Sequence, residues 1–301
     1  MLRAVDGVLF ISRLTFLGGI RMKLKDKVAI VTAAGRGIGR GIALCLAEEG
    51  ANVVVNSYQE ETTQSTADEV KKTGRKSLGI AGDITKPDIM LKVIDDAIKT
   101  FGRIDILVNN VGLMSKTPKE PGSGPLGQII AMWDTQYEQS LKATVLMCEA
   151  IAPHFTEQKS GKIINIASVA GKFGFPASDA YGSMKAGLIR YTQGLADRLG
   201  PSNINVNCVC PGMVYTDAWK LLSEMTVKNQ PEFKGMDPRE WFLGILEGKH
   251  QFGGNVPTPM TPMKREQTVE DIGRAVVFLV SEDSKNVTGQ SFNVDGGMVK
   301  I

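Results

Sequence analysis

Tyr181 and Lys185 stand four positions apart in "DAYGSMKAG", residues 179 to 187, in a chain with only two histidines. A free tyrosine loses its proton near pH ~10, so it acts as acid and base at neutral pH only where its surroundings stabilise the phenolate. If a helix begins after Pro176, positions 181 and 185 lie one turn apart on one face, and the Lys185 ammonium comes near the phenol. A close cation lowers a tyrosine pKa and opposes the rise that burial causes. A fall of two to three units needs roughly 3 to 4 kcal/mol of differential stabilisation. Two cations in a partly dry cleft can supply it.

A second group with chemical potential is "TAAGRGIGRG", where Gly35, Gly37 and Gly39 follow an apolar run and enter an apolar helical stretch that starts near Ile38. Glycines let a pyrophosphate approach the backbone, and a helix amino end offers free N–H groups and partial positive charge. The G-x-G-x-x-G spacing is not met, because Arg40 and Ile42 lie where a third glycine would fall. Taken alone, the loop is a cofactor cradle or a plain strand-to-helix turn. Dinucleotide sites commonly place an acidic residue ~20 positions further on to hold the ribose hydroxyls. Here the second apolar run ends "VVVNSYQ", offering Asn56 and Ser57 instead. With no carboxylate to repel a 2′-phosphate, and Arg36 able to attract one, NADP(H) is favoured over NAD(H); the alternative for Arg36 is a solvated surface charge. Asp83 is placed either to accept from an adenine amino group or to cap its own loop.

Elements that can position these residues follow from the hydrophobic pattern. Short β-branched runs at 27 to 32, 52 to 56, 77 to 83, 104 to 110, 162 to 168 and 203 to 209 alternate with longer amphipathic stretches, and "QSFNV" forms a last strand. Such alternation implies a parallel sheet with helices on both faces. One helix is bounded by Pro87 and Gly102. Two segments break the rhythm, 114 to 128 and 216 to 266, and both follow the carboxyl end of a strand, where open α/β sheets bind ligands.

Composition narrows the function classes. With 43% hydrophobic and 22% charged residues, the 301-residue chain is ordinary for a soluble globular protein, and a net charge of +3 without like-charge blocks suggests neither nucleic acid nor acidic membranes as partners. No stretch approaches the ~20 apolar residues of a membrane span. Cys45, Cys148, Cys208 and Cys210 lack C-x-x-C spacing and sit in apolar segments, as small buried hydrophobes of a reducing, cytoplasmic compartment do, and no metal site is expected. Residues 1 to 21, with Arg3, Arg13 and Arg21, read as an N-terminal extension, disordered or from an upstream start, with organelle targeting as the alternative; Met22 opens the domain, 22 to 301.

Residues 24 to 298 resemble the short-chain dehydrogenase/reductase family, whose landmarks occur in order: "TAAGRGIG", "GD" at 82 and 83, "NNVG" at 109 to 112, Ser168 in "IINIAS", Tyr181 with Lys185, "PG" at 211 and 212 with Thr216, and "VDGG". The resemblance implies a Rossmann-like, doubly wound seven-stranded parallel sheet ordered 3-2-1-4-5-6-7, in a single domain whose 216 to 266 segment is a long substrate lid. It implies that Tyr181 transfers a proton, that Ser168, thirteen residues earlier, hydrogen-bonds the carbonyl or hydroxyl oxygen, and that Lys185 also holds the nicotinamide ribose. Cofactor contacts are implied for Gly35, Arg36, Gly37, Ile38 and Gly39 in the loop, and for Asn56 and Ser57 after the second strand. Asp83, Ile84 and Asn110 follow at the next strand ends, then Pro211, Gly212 and Val214. Asn109 either braces the sheet and the turn near the adenosine ribose or is purely structural, and Thr216 either contacts the carboxamide or caps a helix. The resemblance also implies a homodimer or homotetramer.

Two positions depart from the family. Ala33 replaces the first glycine, which the turn tolerates if φ there is negative. Ser140, in "YEQSLKATVL", stands where the family carries a catalytic asparagine that holds a relay water, so a working but altered relay through Ser140 is expected. The implied activity is interconversion of a secondary alcohol and a ketone with an NAD(P) cofactor. The alternative is a catalytically weak subunit with a binding role. Trp219, Phe233, Trp241, Phe242 and Phe252 in the lid favour a small apolar or cyclic substrate, unless those rings form a core of the lid itself.

Overall fold

Alternation of side chains along each strand decides the architecture. The computed structural model describes residues 22 to 112, 123 to 174, 179 to 250 and 261 to 301; the N-terminal extension at 1 to 21, Phe252 and Pro176 lie outside them. Seven parallel strands, β1 (Val28–Val31), β2 (Asn52–Ser57), β3 (Ser77–Ala81), β4 (Ile106–Asn109), β5 (Gly161–Ile166), β6 (Ile204–Pro211) and β7 (Ser291–Val294), form one sheet ordered 3-2-1-4-5-6-7. This is the order that the resemblance implied. Ala29, Val31, Val53, Val55 and Val108 point to one apolar layer, while Ile30, Val54, Leu107 and Ile163 point to the other. Both faces are therefore dry, as a parallel sheet flanked by crossover helices requires.

On the first face, α1 (Gly37–Glu48) packs against α9 (Val269–Val280) at very short range. A Cβ on Gly273 would come within 2.5 Å of Cys45 Sγ, and one on Gly41 within 2.6 Å of Val269 Cβ, so small residues set the interhelical distance. α2 (Glu60–Lys72) completes this layer through Ala67 and Val70. The second face is covered by α3 (Pro87–Phe101), which begins on Pro87 and ends on left-handed Gly102 as expected, together with α5 (Ala143–Gln158) and α6 (Asp179–Leu199). α4 (Gly124–Gln136) runs into α5 through a single π-helical turn, Tyr137–Lys142.

The described part of the 216 to 266 segment, expected to be a lid, contains α7 (Asp217–Asn229) and α8 (Pro238–Leu246). Its aromatic residues meet one another. Phe242 lies 4.9 Å from Tyr215 and 5.3 Å from Trp219 between ring centroids, and Phe233 lies 6.1 Å from Trp241. Trp241 and Phe242 are 1% and 0% exposed. Of the two readings of the lid rings, the structure supports a small core of the lid's own. It is continuous with Ala167, Val169, Cys208, Cys210 and Met213 at the ends of β5 and β6.

Candidate active site

The carboxyl ends of β1, β4, β5 and β6 converge on one cleft, and each contributes a functional residue at the point where its hydrogen-bonded ladder ends. After β1 the chain turns sharply: Thr32 N–H bonds Val108 O at 3.0 Å and Ala34 N–H bonds Asn56 O at 2.8 Å, which fixes the start of the glycine loop between β2 and β4. Ala33 adopts φ +51°. The condition for tolerating alanine there was a negative φ, so the turn instead holds a strained left-handed alanine. Gly37, at φ +56°, uses the same region without penalty.

The loop fits a dinucleotide. A Cβ on Gly39 would fall 2.5 Å from Asn110 Nδ2 and 2.6 Å from Ala33 O, and one on Gly35 would fall 2.6 Å from Ser57 Oγ and 2.7 Å from Thr62 Oγ1. Glycine is therefore required at both positions for the loop to pack this closely on the chain that follows β2 and β4. α1 has no acidic residue in its first turn, so its amino end keeps its attraction for phosphate. Arg36 is exposed at that helix start, and its guanidinium has no ion pair among the described residues. A cavity of about 190 Å³ beside Gly37 is lined by Arg40, Tyr215, Thr216, Asp217, Lys220 and Val269. Thr62, Tyr215 and Lys220 were not singled out from sequence. Thr62 could have been found as a hydroxyl in the first turn after β2, but Lys220 comes near the loop only because α7 folds back over it.

Several predicted contacts divide into side chains that face the site and side chains spent elsewhere. Asn56 is fully buried; its amide donates to Ile80 O at 3.0 Å and Gly82 O at 3.4 Å, stapling β2 to β3, while its Oδ1 has no partner among the described residues. Ser57, not the Asn56 amide, presents its hydroxyl beside Gly35. Asp83 accepts from Thr85 N at 3.1 Å and Thr85 Oγ1 at 2.8 Å, the loop-capping alternative. Ile84 is 5% exposed in the core, Ile38 packs against the α1 layer, and buried Val214 pairs with Gln267 beside the lid. The two asparagines after β4 have separate tasks. Asn109 donates to Asn165 Oδ1 at 3.0 Å inside the sheet, whereas Asn110 donates to Ala33 O at 3.1 Å and braces the glycine loop. Pro211 ends β6, Gly212 N–H bonds Val294 O at 3.0 Å, and Thr216 precedes α7 without capping it through its side chain, its methyl lying 3.6 Å from a Cβ built on Gly37.

The catalytic group assembles beside this cradle. Ser168 follows β5 in extended backbone, its Oγ accepting from Ala170 N–H at 3.1 Å and sharing a hydrogen bond with the Tyr181 phenol. Tyr181 and Lys185 lie one turn apart on α6, as the spacing predicted, with Nζ 5.7 Å from the ring centroid. Lys185 is only 2% exposed, and its Nζ donates to Ile166 O at 2.8 Å. Burial pushes the phenol up to about 12, against the Ser168 hydrogen bond, and burial pulls Lys185 down to about 8. The ammonium is held by a backbone carbonyl, and in the protein by itself desolvation sets the direction of both shifts.

Ser140 joins this group. Its Oγ and Lys185 Nζ approach the same point from two helices: a Cβ built on Gly112 would lie 3.2 Å from the former and 2.9 Å from the latter. All four cysteines are free and buried, with Cys45 and Cys148 thiols pushed up to about 11 and about 12 by burial. Among the described residues no cluster of metal-ligating side chains occurs, and no helix is long and apolar enough to cross a membrane.

A Rossmann-type sheet with a glycine-rich turn after its first strand, and a serine, tyrosine and lysine at its strand ends, is the arrangement of a nucleotide-dependent oxidoreductase. Residues 27–226 match the family model for short chain dehydrogenase, and residues 251–299 match that for enoyl-(acyl carrier protein) reductase. The chain belongs to the short-chain dehydrogenase/reductase family. It is 34% identical over 282 residues to a 3-oxoacyl-(acyl-carrier-protein) reductase of Chlamydia muridarum, covering 91% of this chain and 98% of that one. Identity is 35% over 277 residues to a (2S)-((R)-hydroxy(phenyl)methyl)succinyl-CoA dehydrogenase subunit of Thauera aromatica, covering 92% and 98%. The structure of L-sorbose reductase from Gluconobacter frateurii, complexed with NADPH and L-sorbose, superposes with a TM-score of 0.80 at 28% identity, covering 94% of this chain and all of that one.

Proposed function

We propose that this chain is an NADP(H)-dependent oxidoreductase that interconverts a secondary alcohol and a ketone. The observation that carries the reading is the convergence of Ser168, Tyr181 and Lys185 at the strand ends of a sheet whose first strand leads through a glycine-rich turn into α1. Ser168 hydrogen-bonds the reacting oxygen and orients it toward the phenol. Tyr181 gives that oxygen a proton in ketone reduction and takes one in alcohol oxidation. Lys185 holds the nicotinamide ribose and feeds the phenol's proton balance from behind. The bound nicotinamide supplies or accepts the hydride. A phenol held protonated by burial is the correct form for reduction at neutral pH, and oxidation calls for its phenolate, so oxidation should rise with pH where reduction falls.

The preference for NADP(H) is supported by Arg36 and by the hydroxyls of Ser57, which ends β2, and Thr62, in the first turn of α2, with no carboxylate of that strand to oppose a 2′-phosphate. NADPH complexed with the sorbose reductase agrees with it. A small apolar or cyclic substrate is supported by Phe173, a partly exposed apolar side chain five residues after Ser168, rather than by the buried lid rings. Self-association as a dimer or tetramer is supported by the exposed stripe Leu126, Ile129, Ile130, Trp133 and Tyr137, and a cytoplasmic setting by the four free, buried thiols.

The test is nicotinamide absorbance with a panel of ketones, 3-oxoacyl thioesters, polyols and cyclic alcohols, each with both cofactors. Turnover with NADPH on apolar or cyclic ketones is expected. Binding of cofactor without turnover across the panel would contradict the reading, and preference for polyols would contradict the substrate class. Sedimentation as a monomer at every concentration would contradict self-association.

A further inference from the structure

Gln136 closes α4 and Ser140 lies in the π-helical turn that follows it, so the local widening of the helix brings the two side chains together. Such turns recur at functional positions. Both residues are inaccessible, at 4% and 0% exposure, and Ser140 Oγ donates to Gln136 Oε1 at 2.9 Å. A serine has one proton to give. Committing it to the glutamine leaves Oγ, on its other side, as an acceptor only. Lys185 Nζ comes close to the same Oγ, beside Gly112, without a direct hydrogen bond to it. The ammonium has three N–H groups, one of which goes to Ile166 O.

We propose that Gln136 is a positioning residue of the proton path: it holds the Ser140 hydroxyl in the rotamer whose lone pairs are open to the Lys185 ammonium through one water. Gln136 and Ser140 together then perform the task for which the family uses one asparagine. Ser140 does not pass on its own proton, because an amide oxygen does not become protonated at neutral pH; it anchors the donor that does. This rests on the reading of Tyr181 and Lys185 as the proton-handling pair.

The test uses full-length protein labelled with carbon-13 at lysine Cε, whose signal reports each ammonium directly, with Lys185 assigned by its loss in Lys185→Met. Tyr181, Cys208 and Cys210 also face this ammonium and are left unchanged. Gln136→Leu, with Gln136→Met as a second variant, removes the acceptor without adding charge. The titration midpoint of Lys185 is expected to fall by roughly one pH unit, since the ammonium loses a fixed acceptor, and kcat to fall roughly tenfold. Placing Asn at 140 in the same protein should restore both, because an amide at 140 needs no partner to orient it. An unchanged midpoint, or equal losses in the Ser140 and Ser140→Asn backgrounds, would overturn the proposal and leave Gln136 as packing. Absence of turnover from wild type would contradict the proposed activity alone, and the titration would still decide the role of Gln136.

Discussion

The cofactor end and the lid end of the cleft are built by opposite means. At the cofactor end, function resides in what is missing: glycines without a Cβ, a helix start without acidic residues, a second strand without a terminal carboxylate. At the lid end, the conspicuous side chains are present but turned on one another, with Trp241 and Phe242 almost fully buried. Conspicuous residue types therefore mark stability in one region, and inconspicuous ones mark chemistry in the other.

Truncating the lid core should cost the most. Trp241→Ala removes a buried indole and should destabilise the protein by about 3 to 5 kcal/mol, read as a fall in the denaturant midpoint and faster hydrogen exchange in α8. An unchanged midpoint would mean that those rings do not form a core. Close behind comes the buried ammonium. Lys185 falls from its ordinary 10.5 to about 8 on folding, so the folded state resists protonation more than the unfolded state does. Its penalty is complete below pH 8 and disappears as pH rises through 10.5. The unfolding free energy of wild type minus that of Lys185→Met should thus rise between these limits by about 3 kcal/mol. Equilibrium unfolding at a series of pH values checks this, and Tyr181, present in both proteins, cancels.

The cofactor end should respond in affinity rather than stability. Arg36→Ala should weaken NADPH binding by roughly 10- to 100-fold, the value of a charged hydrogen bond, and leave NADH binding within about twofold. Fluorescence titration with both cofactors separates the cases, and equal losses would contradict a 2′-phosphate contact. The smallest effect belongs to the strained turn: Ala33→Gly should raise stability by about 1 kcal/mol by relieving the left-handed alanine, a gain visible in thermal unfolding.

The strands, the helix that carries Tyr181 and Lys185, and the glycine-rich turn were legible because each depends on local pattern: β-branched apolar runs, spacing along a helix, absence of side chains in a turn; strand order was legible only through the family resemblance. The partner of the Lys185 ammonium was not, because Ile166 O, nineteen residues away, claims that donor. Asn56 and Asn110 illustrate the same limit, because an amide at a strand end can staple the next strand or brace a loop, and only the neighbouring chain decides which. Gln136 escaped notice because its meeting with Ser140 belongs to a π-helical turn that the apolar spacing does not encode.

Central to this account is the Tyr181 phenol as the group that exchanges a proton with substrate. The most direct measurement compares wild type with Tyr181→Phe, following nicotinamide absorbance under saturating cofactor and a ketone that wild type reduces, with cofactor affinity and thermal unfolding measured in parallel. The account predicts that kcat falls by roughly 10²- to 10⁴-fold while affinity and folding stay near wild type. A folded Tyr181→Phe protein that keeps wild-type turnover would contradict it.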